Sequence, residues 1–298
     1  MTITINFLGT AGQVPTTKRN HSAILLTFNE ENILIDCGEG TQTQFRKAKL
    51  NPGKITRILI SHFHGDHILG IPGILSTLAL NGYNKTLYIY GPKGSKKFIH
   101  DLLQLFNFRR EYEIKVEEVT GKFLETKDFF IEAKSMTHGI PCNAYSFSKI
   151  GHTRIDREKL KKSGLPSGPI LQTLKEGKNI AYNGKKYLAK DLTYKEDDLK
   201  ISIIMDTSVN KEIAPFVKNS DLIISEASFD SQLEEHAKEH QHLTAKQAGE
   251  IAKKSKSKKL ILTHISQRYE NKLKELLDDA KKEFENTTIA KDLDTIEI

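Results

Sequence analysis

Ile55-Thr56-Arg57-Ile58-Leu59-Ile60 runs straight into Ser61-His62-Phe63-His64-Gly65-Asp66-His67. An apolar, β-branched run of this length reads as a strand, and the polar run after it as the loop on which the strand ends. Three histidines and an aspartate fall within six residues. Imidazole and carboxylate are donors that suit zinc, and the absence of thiolates suits a catalytic site. The spacing is too tight for one tetrahedral ion to take all four side chains. Two neighbouring ions with a water between them are the economical expectation. A metal-free histidine cluster at a helix start is the bland alternative. Four donors on a loop held by a rigid strand weigh against it.

Three further polar residues sit where other apolar runs end. His138 follows the alternating stretch Phe129 to Met136, Asp206 follows Ile201 to Met205, and His264 follows Leu260 to Thr263. Any one of them would read as a satisfied core residue; the repeated placement marks a shared site. Ile3 to Leu8, Leu87 to Tyr90, Tyr112 to Val119 and Leu222 to Ser225 also read as strands. Ala23 to Phe28 and Asn32 to Asp36 read as a hairpin around Asn29-Glu30-Glu31. Helical periodicity runs through Ile68 to Leu80, Ser95 to Phe106, Gln232 to His240, Thr244 to Ser255 and Asn271 to Phe284, and Thr288 to Ile298 reads as a closing strand. Strands and helices in both halves predict an α/β sandwich of sheets flanked by helices.

Composition narrows the setting. The chain has 298 residues, 38% hydrophobic and 28% charged, enough length for a real core under a wet surface. No apolar run approaches the roughly 20 residues of a membrane span. The N-terminus, Met1-Thr2-Ile3-Thr4-Ile5, carries no basic leader or cleavage pattern, so a cytoplasmic location is the expectation. Cys37 and Cys142 are the only cysteines, too few for a disulfide framework or a four-cysteine zinc site.

The net charge of +7 is unevenly distributed. Residues 149–195 hold twelve Lys and Arg against four Asp and Glu, a net of +8, which leaves −1 for the rest. The same segment carries turn signals at Gly164, Pro166, Gly168, Pro169 and Asn183-Gly184 and few long apolar runs. It reads as an inserted arm between catalytic halves 1–148 and 196–298. Concentrated positive charge attracts polyanions, nucleic acid above all. A lysine-rich solvated face would give the same count.

His62-x-His64-x-Asp66-His67 with His138, Asp206 and His264 resembles the metallo-β-lactamase superfamily, and along nearly the whole chain the resemblance is to the short form of the tRNase Z (ribonuclease Z) family. Phe7-Leu8-Gly9-Thr10 with Pro15-Thr16-Thr17-Lys18-Arg19-Asn20, and Asp36-Cys37-Gly38-Glu39-Gly40-Thr41-Gln42, resemble its N-terminal signatures. Gly164-Leu165-Pro166-Ser167-Gly168-Pro169 resembles the Gly-Pro motif of its substrate-binding arm. Leu262-Thr263-His264-Ile265-Ser266 with Arg268-Tyr269 resembles its C-terminal signature. The metal motif alone is specific only for the superfamily; the arm motif and flanking signatures specify the family.

The resemblance implies a four-layer αβ/βα sandwich and a zinc-dependent endoribonuclease that removes the 3′ trailer of precursor tRNA, leaving a 3′-hydroxyl. It implies two zinc ions per subunit, with manganese as a substitute: His62, His64, His138 and Asp206 on one, and Asp66, His67 and His264 on the other, bridged by Asp206. Asp66 would also accept the proton of the attacking water. His242 of His242-Leu243-Thr244 and Glu226 of Ser225-Glu226-Ala227-Ser228 would form the proton-donor pair. Ser225 stands where the family motif has histidine, and Ser208 where it usually has arginine. The arm, through Gly164, Pro166, Gly168 and Pro169 and the phosphate contacts of Lys159, Lys161 and Lys162, would grip the body of tRNA by shape. Arg268 would bind phosphate or form a plain salt bridge. A homodimer in which one subunit's arm serves the other's site is implied too, and no membrane. A small-molecule hydrolase or phosphodiesterase of the superfamily, or a non-catalytic RNA-binding relative, are the competing readings. The first leaves the arm unexplained, and the second has no need of seven metal ligands.

Overall fold

Strand β1 (Ile3–Gly9) shows how the sequence specifies layers. Ile3, Ile5 and Phe7 point one way and Leu8 the other. Strand β2 (Ala23–Phe28) continues the alternation, with Ile24, Leu26 and Phe28 inward and Ala23 and Leu25 outward. Strands apolar on both faces must be covered on both, and the computed structural model, which describes residues 2–106 and 111–298, shows the cover. Two sheets pack face to face around the inward residues. Helices Thr41–Lys47, Ile71–Leu80 and Ser95–Leu105 cover the outer face of the first sheet. Helices Ala245–Lys254 and Leu273–Glu283 cover that of the second. This is the four-layer αβ/βα sandwich expected.

The first sheet continues through β3 (Glu31–Ile35), β4 (Arg57–Leu59), β5 (Leu87–Gly91) and β6 (Ile114–Glu118). The chain then enters the second sheet with β7 (Gly121–Glu125), β8 (Phe129–Met136) and β9 (Cys142–Lys149). Four short strands follow: β10 (Thr153–Ile155), β11 (Ile180–Tyr182), β12 (Lys185–Tyr187) and β13 (Thr193–Lys195). The second sheet resumes with β14 (Leu199–Ile204), β15 (Leu222–Glu226), β16 (Leu260–Thr263) and β17 (Thr287–Ile289), and β18 (Thr295–Glu297) returns to the first. The orders are β18-β1-β2-β3-β4-β5-β6 and β17-β16-β15-β14-β9-β8-β7.

Several elements differ from the sequence reading for identifiable reasons. The hairpin turn is only Asn29-Glu30, because Asn29 accepts a φ of 54°, and Glu31 therefore pairs with Phe28. The expected helix Ile68 to Leu80 is two, Gly65–Ile68 and Ile71–Leu80, with Pro72 in the first turn of the second. Gly70 lies at the break because a Cβ there would stand 2.1 Å from the Gly38 carbonyl. Strands β7 and β9 carried no clear signal; the outer face of β9 bears Ser146 and Ser148, residues that read as turn. The expected closing strand is two short ones, β17 in one sheet and β18 in the other, so the C-terminus ties the sheets together.

Residues 153–195 form neither sheet of the sandwich. Strand β10 pairs with β13 and β11 with β12, around a small core of Leu160, Leu165, Leu174, Ile180, Tyr187, Ala189 and Leu192. Among the described residues no helix is long and apolar enough to cross a membrane.

Candidate active site

Four loops that leave strand ends converge. The loop after β4 brings His62, His64, Asp66 and His67; Thr137-His138 leaves β8, Met205-Asp206 leaves β14, and His264 leaves β16. Separations of about 70 to 200 residues in sequence vanish here. His62 Nε2 lies 3.0 Å from His64 Nδ1, which lies 3.2 Å from His138 Nε2. His67 Nε2 lies 3.2 Å from His264 Nε2. Asp206 spans the two groups. Its Oδ2 is 3.5 Å from His62 Nε2, and its Oδ1 is 3.5 Å from His67 Nε2 and 3.2 Å from His264 Nε2. Asp66 Oδ2 approaches His67 Nε2 at 3.3 Å and His264 Nε2 at 3.2 Å. His62, Asp66, His67, Asp206 and His264 are buried, His138 is half-buried, and His64 faces solvent.

The far nitrogen of four of the five rings is occupied, which fixes the near one. His67 Nδ1 donates to Asp36 Oδ2 at 2.7 Å, and Asp36 also accepts from the Ser61 amide and hydroxyl. His138 Nδ1 donates to the Gln241 carbonyl at 3.1 Å. Ser228 Oγ meets His264 Nδ1 at 2.9 Å, and Ser61 Oγ meets His62 Nδ1 at 3.0 Å. Such outer partners set the tautomer and aim of ligating imidazoles. The backbone contributes as well. Asp36 and His264 sit at φ of 56° and 55°, strained for non-glycine residues. Gly38 packs so closely on the ligand loop that a Cβ would lie 2.3 Å from the Asp66 carbonyl.

The donor set fits metal ions. His62, His64, His138 and Asp206 form one group and Asp66, His67 and His264 another, the donor atoms of each lying within 4.8 Å of one another. Asp206 Oδ1 is buried with no hydrogen-bond partner, although two imidazole nitrogens surround it. Carboxylates and imidazoles aimed at common points are what divalent cations resolve. The electrostatics agree. Burial would raise the Asp66 carboxyl, but His264 and His67 hold it well below the usual carboxylate range. Burial opposes charge on His67, yet Asp206 and Asp36 keep it protonated far above the ordinary imidazole value. Burial and then His67 keep His62 neutral. Positive charge is demanded at the centre of this cluster.

Beside it, His242 Nδ1 pairs with Glu226 Oε2 at 3.0 Å. Glu226 is fully buried and also accepts from the Thr207 amide and the Ser228 hydroxyl, both at 2.8 Å. Burial lowers the His242 pKa, but Glu226 and then Asp206 outweigh it and raise it to about 9. His242 caps no helix. Thr244 does that, in a capping box with Gln247. Ser225, at the position expected to hold histidine, is buried and donates to the Glu226 carbonyl, so it leaves the Glu226–His242 pair intact. Ser208 is held by its amide to the Thr137 carbonyl at 2.8 Å, beside the ligand loop.

A family profile described as "Anti-Pycsar protein Apyc1" matches residues 3–111, less than half of the chain. The ribonuclease Z of Nanoarchaeum equitans is 38% identical over 98% of this chain and 92% of its own length. That of Enterococcus faecalis is 37% identical over 99% and 97%. The chain belongs to the ribonuclease Z family. Human tRNase Z, short form, superposes with a TM-score of 0.72 at 29% identity, covering 98% of each chain. The metallo-β-lactamase fold protein YhfI of Bacillus subtilis reaches the same TM-score at 20% identity, a likeness of fold.

Within this ribonuclease Z family chain, the remaining expected residues fall into two places. Arg268 lines the cavity of about 280 Å³ beside the His/Asp cluster, its guanidinium 5.0 Å from the centre of the Phe229 ring, and has no ion pair among the described residues. The salt-bridge reading of Arg268 therefore fails. Residues 149–195 do not line that cavity. Gly164, at φ 75°, ends helix Arg157–Ser163, and Pro169 begins helix Ile170–Lys175. Gly164, Pro166, Gly168 and Pro169 are exposed, as are Lys159, Lys161 and Lys162. Arg154, Arg157, Lys161 and Lys175 line a groove beside Gly168 and Pro169.

The sequence reading assigned no role to Asp36, Ser61, Ser228 or Gln241. Asp36 offered the same signal as Asp206, a carboxylate at the end of an apolar run. Residue type marks none of the other three: Ser61 meets its neighbour His62, Ser228 meets His264 from 36 residues away, and Gln241 acts through its backbone carbonyl.

Proposed function

We propose that this chain is a zinc-dependent endoribonuclease that cuts precursor tRNA at its 3′ trailer and leaves a 3′-hydroxyl on the tRNA. Family membership already makes it an endoribonuclease acting at tRNA 3′ ends. The observation that carries the finer reading is Asp206, whose two oxygens face two separate donor groups. His62, His64, His138 and Asp206 would hold one ion, and Asp66, His67, His264 and Asp206 the second. Bound there, the ions would neutralise phosphate charge and make water a better acid.

The chain's own residues supply the rest. Asp66, held ionised in the cavity, takes a proton from the attacking water as its oxygen bonds to phosphorus. His242, kept protonated by Glu226, gives its proton to the departing 3′-oxygen as that bond to phosphorus breaks. The exposed cations of the arm, Lys159, Lys161 and Lys162 among them, grip the tRNA body through phosphate, away from the cut. Because the arm stands off its own cavity, the homodimer fits this reading, one subunit's arm serving its partner's site.

A purified protein supplied with zinc or manganese should cut a trailer-bearing precursor tRNA at one position. No cleavage of any such precursor would overturn the reading. Deleting 150–194 should abolish tRNA cleavage and spare hydrolysis of a small phosphodiester. A small-molecule role predicts efficient turnover of a small natural substrate by the intact protein and no RNA cleavage.

A further inference from the structure

Outside the seven-ligand cluster, a second set of metal donors opens on the same cavity. His236 and His240 stand four residues apart on helix Glu234–Glu239 and its C-cap, with Glu239 beside them. That spacing puts both imidazoles on one face. Their ring centres are 4.3 Å apart, and His236 Nδ1 is 3.9 Å from Glu239 Oε2. One donor atom from each of the three lies within 4.8 Å of the others. His236 and His240 line the catalytic cavity. His236 also packs edge-on to Phe229, ring centres 5.1 Å apart, and Phe229 carries Arg268. Cationic and metal-donor groups thus share one wall.

We propose that His236, Glu239 and His240 form a third cation site, for zinc or a similar divalent transition metal, at the mouth of the cavity. Two imidazoles and a carboxylate are the donor types of zinc sites that keep a position open. Three protein donors leave that position free for a phosphate oxygen of the RNA beside the scissile bond. This last step rests on the tRNA-processing reading; the ion site itself does not. Glu239 and His240 are exposed and His236 is half-buried, so their side chains must be ordered on binding. The ion here is therefore the weakest held and the first lost to a chelator.

The test is a zinc titration of the metal-free, full-length protein, read by calorimetry and native mass spectrometry. The double variant His236→Ala/His240→Ala should bind one zinc fewer than the unmodified chain, the missing ion being the weakest. Glu235→Ala, on the same helix but outside the trio, should bind as many as the unmodified chain. Equal counts in the double variant and the unmodified chain would overturn the proposal. If the double variant melts early, His240→Gln alone provides the comparison and should still weaken the last ion. The readout is a difference of one ion, so it holds whatever the catalytic cluster binds. Failure to cut tRNA would sink the functional reading and leave this count standing. With precursor tRNA, the double variant should raise KM several-fold more than it lowers kcat; an unchanged KM would remove phosphate as the ion's further ligand.

Discussion

In the proposed reading the His/Asp cluster and the arm both gather positive charge, but they hold it in opposite ways. In the cluster the charge would be brought in, to mostly buried imidazoles and ionised carboxylates, the rings of His67, His62, His264 and His138 being oriented by Asp36, Ser61, Ser228 and Gln241. In the arm it is carried permanently by lysines on long exposed stems around a core of only a few residues. Buried charges interact strongly and are little affected by salt, whereas exposed ones are screened over roughly 10 Å at 0.1 M. The cluster therefore suits chemistry, where geometry decides, and the arm suits recognition of a charged shape, where position need not be exact.

Experiments can break this division at either end. Asp66→Ala should have the largest effect, lowering single-turnover cleavage of precursor tRNA by roughly 10²- to 10⁴-fold with tRNA affinity nearly intact. Unchanged cleavage would remove Asp66 as the proton acceptor. His242→Ala should cost about 10²-fold and change the pH profile. A proton donor works only while protonated. With a pKa raised to about 9, His242 carries its proton at neutral pH and loses it as pH rises. Cations on Asp206 would weaken one of the two carboxylates that raise it. The alkaline decline should thus fall between the ordinary imidazole value and about 9, and should vanish in the variant.

Asp36→Asn touches no substrate but removes the charge and turns one of two acceptor oxygens into a donor, disrupting the pairing that aims His67. It should weaken metal binding by about 10- to 100-fold, measured by competition with a chelator. An unaltered affinity would make Asp36 merely structural. The smallest effect belongs to the arm. Lys159→Ala/Lys161→Ala/Lys162→Ala should leave small phosphodiester hydrolysis unchanged. It should flatten the dependence of tRNA affinity on salt by about one logarithmic slope unit per lysine. If the cluster variants changed the salt slope and the arm variant did not, the division of labour would be wrong.

Much of this was readable in one dimension. His62 to His67 announced metal chemistry because four donors crowd one loop, and His138, Asp206 and His264 repeated the signal at other strand ends. The charge count in 149–195 set that segment apart by residue type alone. Element ends were harder to read. Nothing along the chain says that Gly70 must pass within contact of Gly38, so one helix was expected where there are two. Strand β9 hides Tyr145 and Phe147 among serines and an asparagine, and the C-terminal segment crosses between sheets within a few residues.

The sequence by itself determined the kind of donors, their attachment to strand ends and the location of excess charge, because these depend only on residue type and local period. Only the tertiary structure decided how the donors are grouped. It turned one face of Asp206 to each group, set Asp36 behind His67 and brought Glu226 to His242. It also gathered His236, Glu239 and His240 at the same cavity. Those relations depend on where two sheets and their loops come to rest, and packing sets that jointly across the whole chain.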